Sequence, residues 1–426
     1  MRILVVSNLL PPSVQGGYEL MCEQMTRQLR ARGHAVRVLT SLPPMPFVAD
    51  EQPDGDVVRA LQMSEMLRLR RVEHAAPVTR RLIESASNFV VAGNVYALSR
   101  EIDRFQPDVA YVWNLHGVGG LGLLAALEYR GLPWAWHLGD AAPMWLCQLD
   151  WRPLPRLARA VTPWLRGSWL ACSTRVVDEI RNAGLGLEGR IEMVPGWADE
   201  PEPPPAVAPY RPGEPLRVVY SGSVATFKGV GILIDATAQL RADGLDVRLD
   251  LLGPVLDADL QDRAHAHSLG DAVTFRGQLP HQELLQGLGR GHVFAFATHE
   301  REPFGIAPLQ AAARGVVPLL SESCGISEWL VDGVNCLKAA RTAPSFAATL
   351  RRIATGEIEL GPLARRARAT TLRDFEVRHW APRVESVLED AAGRGGGLTG
   401  STLVAHRAAL VAEQIVSVTV EEATPA

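Results

Sequence analysis

Apolar and polar positions follow a recurring pattern along this chain: a short unbroken apolar run, a turn, a stretch with helical spacing, then another apolar run. Ile3 to Val6 leads into Ser7, Asn8 and the turn-rich Pro11-Pro-Ser-Val-Gln-Gly-Gly17, followed by helical spacing from Tyr18 to Arg32 and a second run from Ala35 to Thr40. Val109 to Trp113, Trp134 to His137 and Trp169 to Ser173 repeat the pattern. Runs that are apolar at every position suit strands buried on both faces, so residues 1–199 are expected to form a parallel sheet covered by helices, a Rossmann-like domain.

The proline-rich stretch 200–215 supports neither a helix nor an inner strand and reads as an extended linker. Beyond it the alternation restarts. Leu216 to Ser221, Val247 to Leu252, Ala272 to Phe275, Val293 to Ala297 and Val316 to Leu320 are the strand candidates of a second Rossmann-like domain over 216–375. A helix over 376–392 is expected to cross back to the first domain. The tail 393–426 has no place in either sheet and is expected to be a flexible appendage. A length of 426 residues suits two cores better than one.

Composition narrows the function. With 47% hydrophobic and 21% charged residues and no long single-sign block, this is a folded, soluble chain. A net charge of -4 and a pI near 6.3 exclude a general nucleic-acid binder, which needs an excess of basic charge. Arginine supplies nearly all of the 43 basic residues, a bias typical of GC-rich bacterial coding, so the lysines Lys228 and Lys338 stand out. Cys22, Cys147, Cys172, Cys324 and Cys336 are scattered, without a C-x-x-C pair or a histidine cluster at metal-ligand spacing. That fits a reducing cytoplasm, as does a beginning without a signal-peptide core and the lack of any apolar stretch near the ~18 residues a membrane span needs.

Two strand-loop-helix junctions carry chemistry. In Tyr220-Ser-Gly222-Ser-Val-Ala-Thr-Phe-Lys228-Gly229, the lysine and several free backbone amides are expected near the start of a helix over Val230 to Arg241, an arrangement suited to phosphate. It is not a P-loop, since G-x-x-x-x-G-K-[ST] is absent. In Thr298-His-Glu300-Arg-Glu302-Pro-Phe-Gly305-Ile-Ala-Pro-Leu-Gln310, a helix is expected from Phe304 to Arg314, with the amides of Gly305 and Ile306 at its start. Glu302 at the mouth can accept hydroxyl hydrogens or merely complement the helix dipole.

Taken in order, Gly16-Gly17 after the first run, Gly33-His34-Ala-Val before the second, Val194-Pro-Gly196-Trp-Ala-Asp199, the Gly222 to Gly229 loop, Glu302-Pro-Phe-Gly305, Gly315-Val-Val-Pro-Leu and Glu328-Trp-Leu-Val-Asp-Gly-Val-Asn335 resemble the GT-B glycosyltransferases. The resemblance is to the large retaining branch known as family four, glycosyl transferases group 1, and covers nearly the whole chain to about residue 385. It implies an α/β fold of two Rossmann-like domains facing each other across a cleft. It implies a hexosyltransferase-type enzyme that moves a sugar from a nucleotide diphosphate sugar to a glycan, glycolipid or secondary metabolite, with retention and without metal or cofactor. By the same resemblance the diphosphate falls to Lys228, Ser223, Gly16, Gly17, Gly305 and Ile306, the ribose to Gln310, and the reacting sugar to Glu302 with Asp140 and His137.

The chain departs from the family at three places. Ser223 stands where many members carry an arginine, and Gln310 where they carry an acid, so one cation and one anion are lost together. That predicts weakened donor affinity and leaves open a chain that binds the nucleotide sugar without turning it over. The first-domain histidine of the family is matched either by Gly139, with Asp140 behind it, or by His137, which shares a strand face with it. His116 is a further candidate. Finally, the Arg/Trp-rich segment 151–175 is basic and amphipathic; it reads as a solvated face or else as a site for an anion, either a peripheral membrane contact or an anionic acceptor. The cluster Arg68, Arg70, Arg71, Arg80 and Arg81 carries the same two readings.

Overall fold

The computed structural model describes residues 1–14, 16–42, 55–63, 89–139, 165–182, 187, 190–198, 210–299 and 302–394. Asp140, the arginines from 68 to 81, residues 151–164 of the basic segment, 200–209 of the linker and the tail from 395 lie outside them. The chain divides into two compact units: Met1–Val194 together with the chain from Ala381, and Pro195–Trp380.

Unit 1 holds β1 (Arg2–Val6), β2 (Ala35–Ser41), β3 (Val57–Leu61), β4 (Val109–Val112), β5 (Trp134–Leu138), β6 (Ser168–Ala171) and β7 (Ile191–Met193). All pair in parallel, in the order β3-β2-β1-β4-β5-β6-β7. β4, β5 and β6 are buried at every position, as expected of strands whose two faces are both covered. Large rings fill the layer beside them: Trp169 meets Trp134 edge-on at 5.2 Å and stacks with Trp136 at 5.9 Å between centroids.

Unit 2 repeats the plan with β8 (Leu216–Ser221), β9 (Val247–Leu252), β10 (Val273–Phe275), β11 (Val293–Phe296), β12 (Val317–Ser321) and β13 (Leu337–Ala339), ordered β10-β9-β8-β11-β12-β13. In both sheets the first strand lies between the second and the fourth, so the strand order reverses beside it. Ligands of doubly wound sheets bind at that reversal, outside the carboxyl ends of the strands. In unit 2 the reversal lies between β8 and β11, which pair through Val218 with Val293 and Val219 with Phe294.

The boundary falls at Val194/Pro195, ahead of the 199/200 expected from sequence, because 195–198 packs on unit 2. A Cβ on Gly196 would lie 2.6 Å from the Phe304 ring, and Ala198 N–H donates to Phe375 O at 3.0 Å. At the other end, α1 (Gly17–Ala31) is followed by Arg32 and His34, which hold the closing helix, Val377–Arg394. Glu385 accepts from Arg32 Nε at 2.7 Å and lies 2.6 Å from His34 Nε2, while Arg383 and Arg190 pair with Glu192 and Asp390.

Candidate functional site

The site of unit 2 is built from the loops that leave β8 and β11, the two strands flanking the reversal. After β8 the chain runs beside the loop from β9: Gly222 N–H donates to Leu252 O at 3.0 Å, Val224 N–H to Pro254 O at 2.9 Å, and Thr226 N–H to Asp257 Oδ2 at 2.7 Å. The Thr226 amide and hydroxyl hold the Asp257 carboxyl below the usual carboxylate range. A 3-10 turn, Thr226–Lys228, then brings Lys228 N–H to Ala225 O at 3.1 Å and Gly229 N–H to Thr226 O at 3.0 Å. The amides of Gly222, Val224, Thr226, Lys228 and Gly229 are therefore taken within the protein. The amide-rich cradle expected from sequence is thus narrower than the loop is long, and the Lys228 ammonium stands beside it.

Gly229 begins α5 (Val230–Ala242; α2 is Ala92–Phe105, α3 Gly120–Tyr129 and α4 Thr174–Asn182) in the left-handed region, at φ +76°. A Cβ there would lie 1.9 Å from Ala297 O, so only glycine lets the loop after β8 close on the end of β11. That approach brings Lys228 to Glu302. The two form an ion pair, and Thr298 Oγ1 donates to the same carboxylate oxygen, Oε2, at 3.2 Å. Glu302 is 9% exposed, and its charge, after burial itself, raises the phenol pKa of buried Tyr220. Tyr220 in turn donates to Ser223 O at 2.9 Å, fixing the backbone at half-exposed Ser223.

Residues 302–306 are held from behind: Gly325 N–H donates to Glu302 O at 3.0 Å and Ile326 N–H to Phe304 O at 3.1 Å. The helix expected from Phe304 to Arg314 is shorter, Ala307–Ala313, because Gly305 sits at φ +87° against the Phe296 ring and cannot be helical. Among the described residues no backbone carbonyl accepts from the N–H of Gly305 or Ile306. Gln310, half-exposed, lies on that short helix, its carbonyl accepting from Arg314 at 2.8 Å.

Unit 1 places its candidates differently. Gly16 caps α1 in an extended conformation, and its N–H is occupied by Glu19 Oε2 at 2.9 Å; Gly17 is the first helical residue. His137 is corrected outright. Expected to face a sugar, it is 0% exposed, stacked on Trp113 at 4.3 Å and 6°, with Tyr111 Oη 2.8 Å from Nδ1. Burial drives its pKa down to about 3, so the ring is neutral. Gly139 leaves room for Tyr18: a Cβ would lie 2.4 Å from its ring, and Gly139 N–H donates to Tyr18 Oη at 3.0 Å while that hydroxyl donates to His137 O. Neither Tyr18 nor Asp257 is signalled by sequence, since each acts through backbone atoms far along the chain.

Known proteins resemble this chain in sequence and fold. The family model described as Glycosyltransferase Family 4 matches residues 15–200, and the one described as Glycosyl transferases group 1 matches residues 208–370. The glycogen synthase of Mycobacterium tuberculosis is 27% identical over 394 residues, 88% of this chain and 91% of that protein. The chain is a group 1 glycosyltransferase. Solved structures agree on the GT-B fold of this glycosyltransferase. Sucrose-phosphate synthase of Thermosynechococcus elongatus matches it with a TM-score of 0.68 at 18% identity, over 91% of this chain and 98% of that one. HepE of Anabaena, in complex with UDP and glucose, matches with 0.67 at 18% identity, over 92% and 100%. Among the described residues of the glycosyltransferase no helix is long and apolar enough to cross a membrane.

Proposed function

We propose that this glycosyltransferase takes a hexose from a nucleoside diphosphate hexose and passes it, with retention, to a hydroxyl of a carbohydrate acceptor. The observation that carries the reading is the meeting of Lys228 and Glu302 at the carboxyl ends of adjacent strands, at the strand-order reversal of unit 2. Lys228 and the N–H groups of Gly305 and Ile306 would hold the diphosphate, and Gln310 the ribose. The carboxylate of Glu302, released from the lysine when phosphate takes its place, would accept from sugar hydroxyls. As the bond from the anomeric carbon to the diphosphate breaks, its oxygen gathers negative charge, which fixed donors stabilise without reorganising. The acceptor oxygen bonds the same face of that carbon, and its proton passes to the departing diphosphate. No metal ion is required in this scheme.

Support for a carbohydrate acceptor and a hexose donor comes from the similarity to glycogen synthase and sucrose-phosphate synthase, and to a protein solved with UDP and glucose. The test is thermal stabilisation by UDP-, GDP-, ADP- and dTDP-hexoses in wild type and Lys228→Ala, followed by nucleotide release with glucans of increasing length. Selective stabilisation that the variant loses, with acceptor-dependent release, is the expected result. Stabilisation without release, whatever the acceptor, would leave a binding protein in its place.

A further inference from the structure

We propose that Arg341 is a positioning residue for the diphosphate site, acting by holding the loop of Lys228 against the strand end that leads to Glu302. This rests on the donor reading given above. Arg341 lies between β13 and Thr342, whose side chain accepts from Ser345 N–H and caps the helix Ala343–Ala354. Its Nε donates to Ala297 O at 3.2 Å and a terminal nitrogen donates to Phe227 O at 3.3 Å. Phe227 immediately precedes Lys228. Ala297 immediately precedes Thr298, the residue whose hydroxyl reaches Glu302.

One guanidinium thus bridges carbonyls of the two loops that carry the ion pair. Ala297 O is also the atom that Gly229 approaches so closely that no side chain fits there. The contact is consequently held twice, by the missing Cβ on one side of Lys228 and by the arginine on the other. The choice of residue follows from the geometry. A planar fork with donors at fixed spacing satisfies two separate carbonyls at once, whereas an ammonium is a point charge on a flexible stem.

If Arg341 works through Lys228, its loss should matter only when Lys228 is present. Binding of a nucleoside diphosphate is measured calorimetrically in wild type, Arg341→Met, Arg341→Lys, Lys228→Ala and the double variant Arg341→Met/Lys228→Ala. Arg341→Met is expected to weaken binding about tenfold, Arg341→Lys to recover only part of that, and Arg341→Met to add less than about twofold to the loss from Lys228→Ala. An undiminished tenfold loss in the Lys228→Ala background would overturn the proposal, as would wild-type affinity in Arg341→Met. Should Arg341→Met fail to fold, the same comparison with Arg341→Lys decides. Wild-type affinity in Lys228→Ala would instead remove the donor reading itself, and the positioning role with it.

Discussion

At the strand-order reversal of the first sheet, the chain ends leaving β1 and β4 are joined by neutral hydrogen bonds. Asn8 N–H donates to Asn114 O at 2.6 Å and Asn8 Nδ2 to His116 O at 3.0 Å. At the matching place in the second sheet, the loops leaving β8 and β11 meet through a lysine and a glutamate. The topology is the same and the furnishing is not. Neutral bonds between backbone and amide are complete in themselves and give a ligand little reason to displace them. An ion pair offers two charges that a phosphate and a set of hydroxyls can each take over, because both partners keep a strong new interaction. The same strand order therefore carries two different sets of side chains, and on the proposed reading it is the charged set that holds the anionic donor.

The largest effect should come from removing that charge. Lys228→Ala and Glu302→Ala are each expected to lower transfer by at least about 100-fold, the scale of losing one preorganised group at developing charge, while unfolding cooperatively like wild type. Transfer within about tenfold of wild type in either variant would place the chemistry elsewhere.

Glycine substitutions compare the two crevices as scaffolds. Gly229→Ala puts a Cβ 1.9 Å from a backbone oxygen at a left-handed residue, and Gly139→Ala puts one 2.4 Å from the ring of Tyr18. Backbone yields less readily than a ring, so urea titration should find losses of about 2–4 kcal/mol for the first and about 1–3 kcal/mol for the second. The reverse order would mean that Tyr18, not Ala297, is the stiffer wall.

A third contrast is acid sensitivity. His137 is neutral when folded, with a pKa near 3, but takes up a proton near 6.5 once unfolded. Stability accordingly falls as pH drops below about 6.5, by about 1.4 kcal/mol per unit from this group, until the folded pKa is reached. His137→Leu, less stable at neutral pH because Tyr111 loses its partner, should show a shallower acid limb in denaturation while nucleoside diphosphate affinity stays within about twofold. An unchanged limb would argue that the ring is not confined as described. The smallest effect expected is a gain: Ser223→Arg should raise nucleoside diphosphate affinity about threefold at low salt and less at high salt, as an added exposed cation does. Weaker binding at low salt would show that the half-exposed position does not face the anion.

The inner strands were legible because their apolar runs are unbroken, which is what coverage on both faces demands. β3, β7 and β13 were not: each is an edge strand pairing on one side, and β7 is half-exposed throughout. Edge strands are short and partly wet, so an apolar run marks some of them, as it marks β10, and passes over others. His137 was misjudged for the complementary reason. Alternation tells the facing of a residue only where one face of a sheet is open, and β5 is buried at all five positions. Lys228 could be singled out because lysine is rare in this chain. Arg341 could not, since arginine is common and its partners lie 44 and 114 residues away. Gly229 announced a turn, but its closeness to Ala297 is a fact of tertiary structure.

The route of the chain also sets an order of events during synthesis. Unit 2 is continuous, from Pro195 to Trp380, whereas unit 1 is split around it and includes residues made after it. Domains fold as they leave the ribosome, amino-terminal parts first. Here the amino-terminal unit emerges without Glu385 and Asp390, the carboxylates that engage Arg32, His34 and Arg190. Unit 2 can thus be finished first, and the segment that completes the earlier half arrives last, so translation that stops near residue 380 would leave unit 2 whole and unit 1 open.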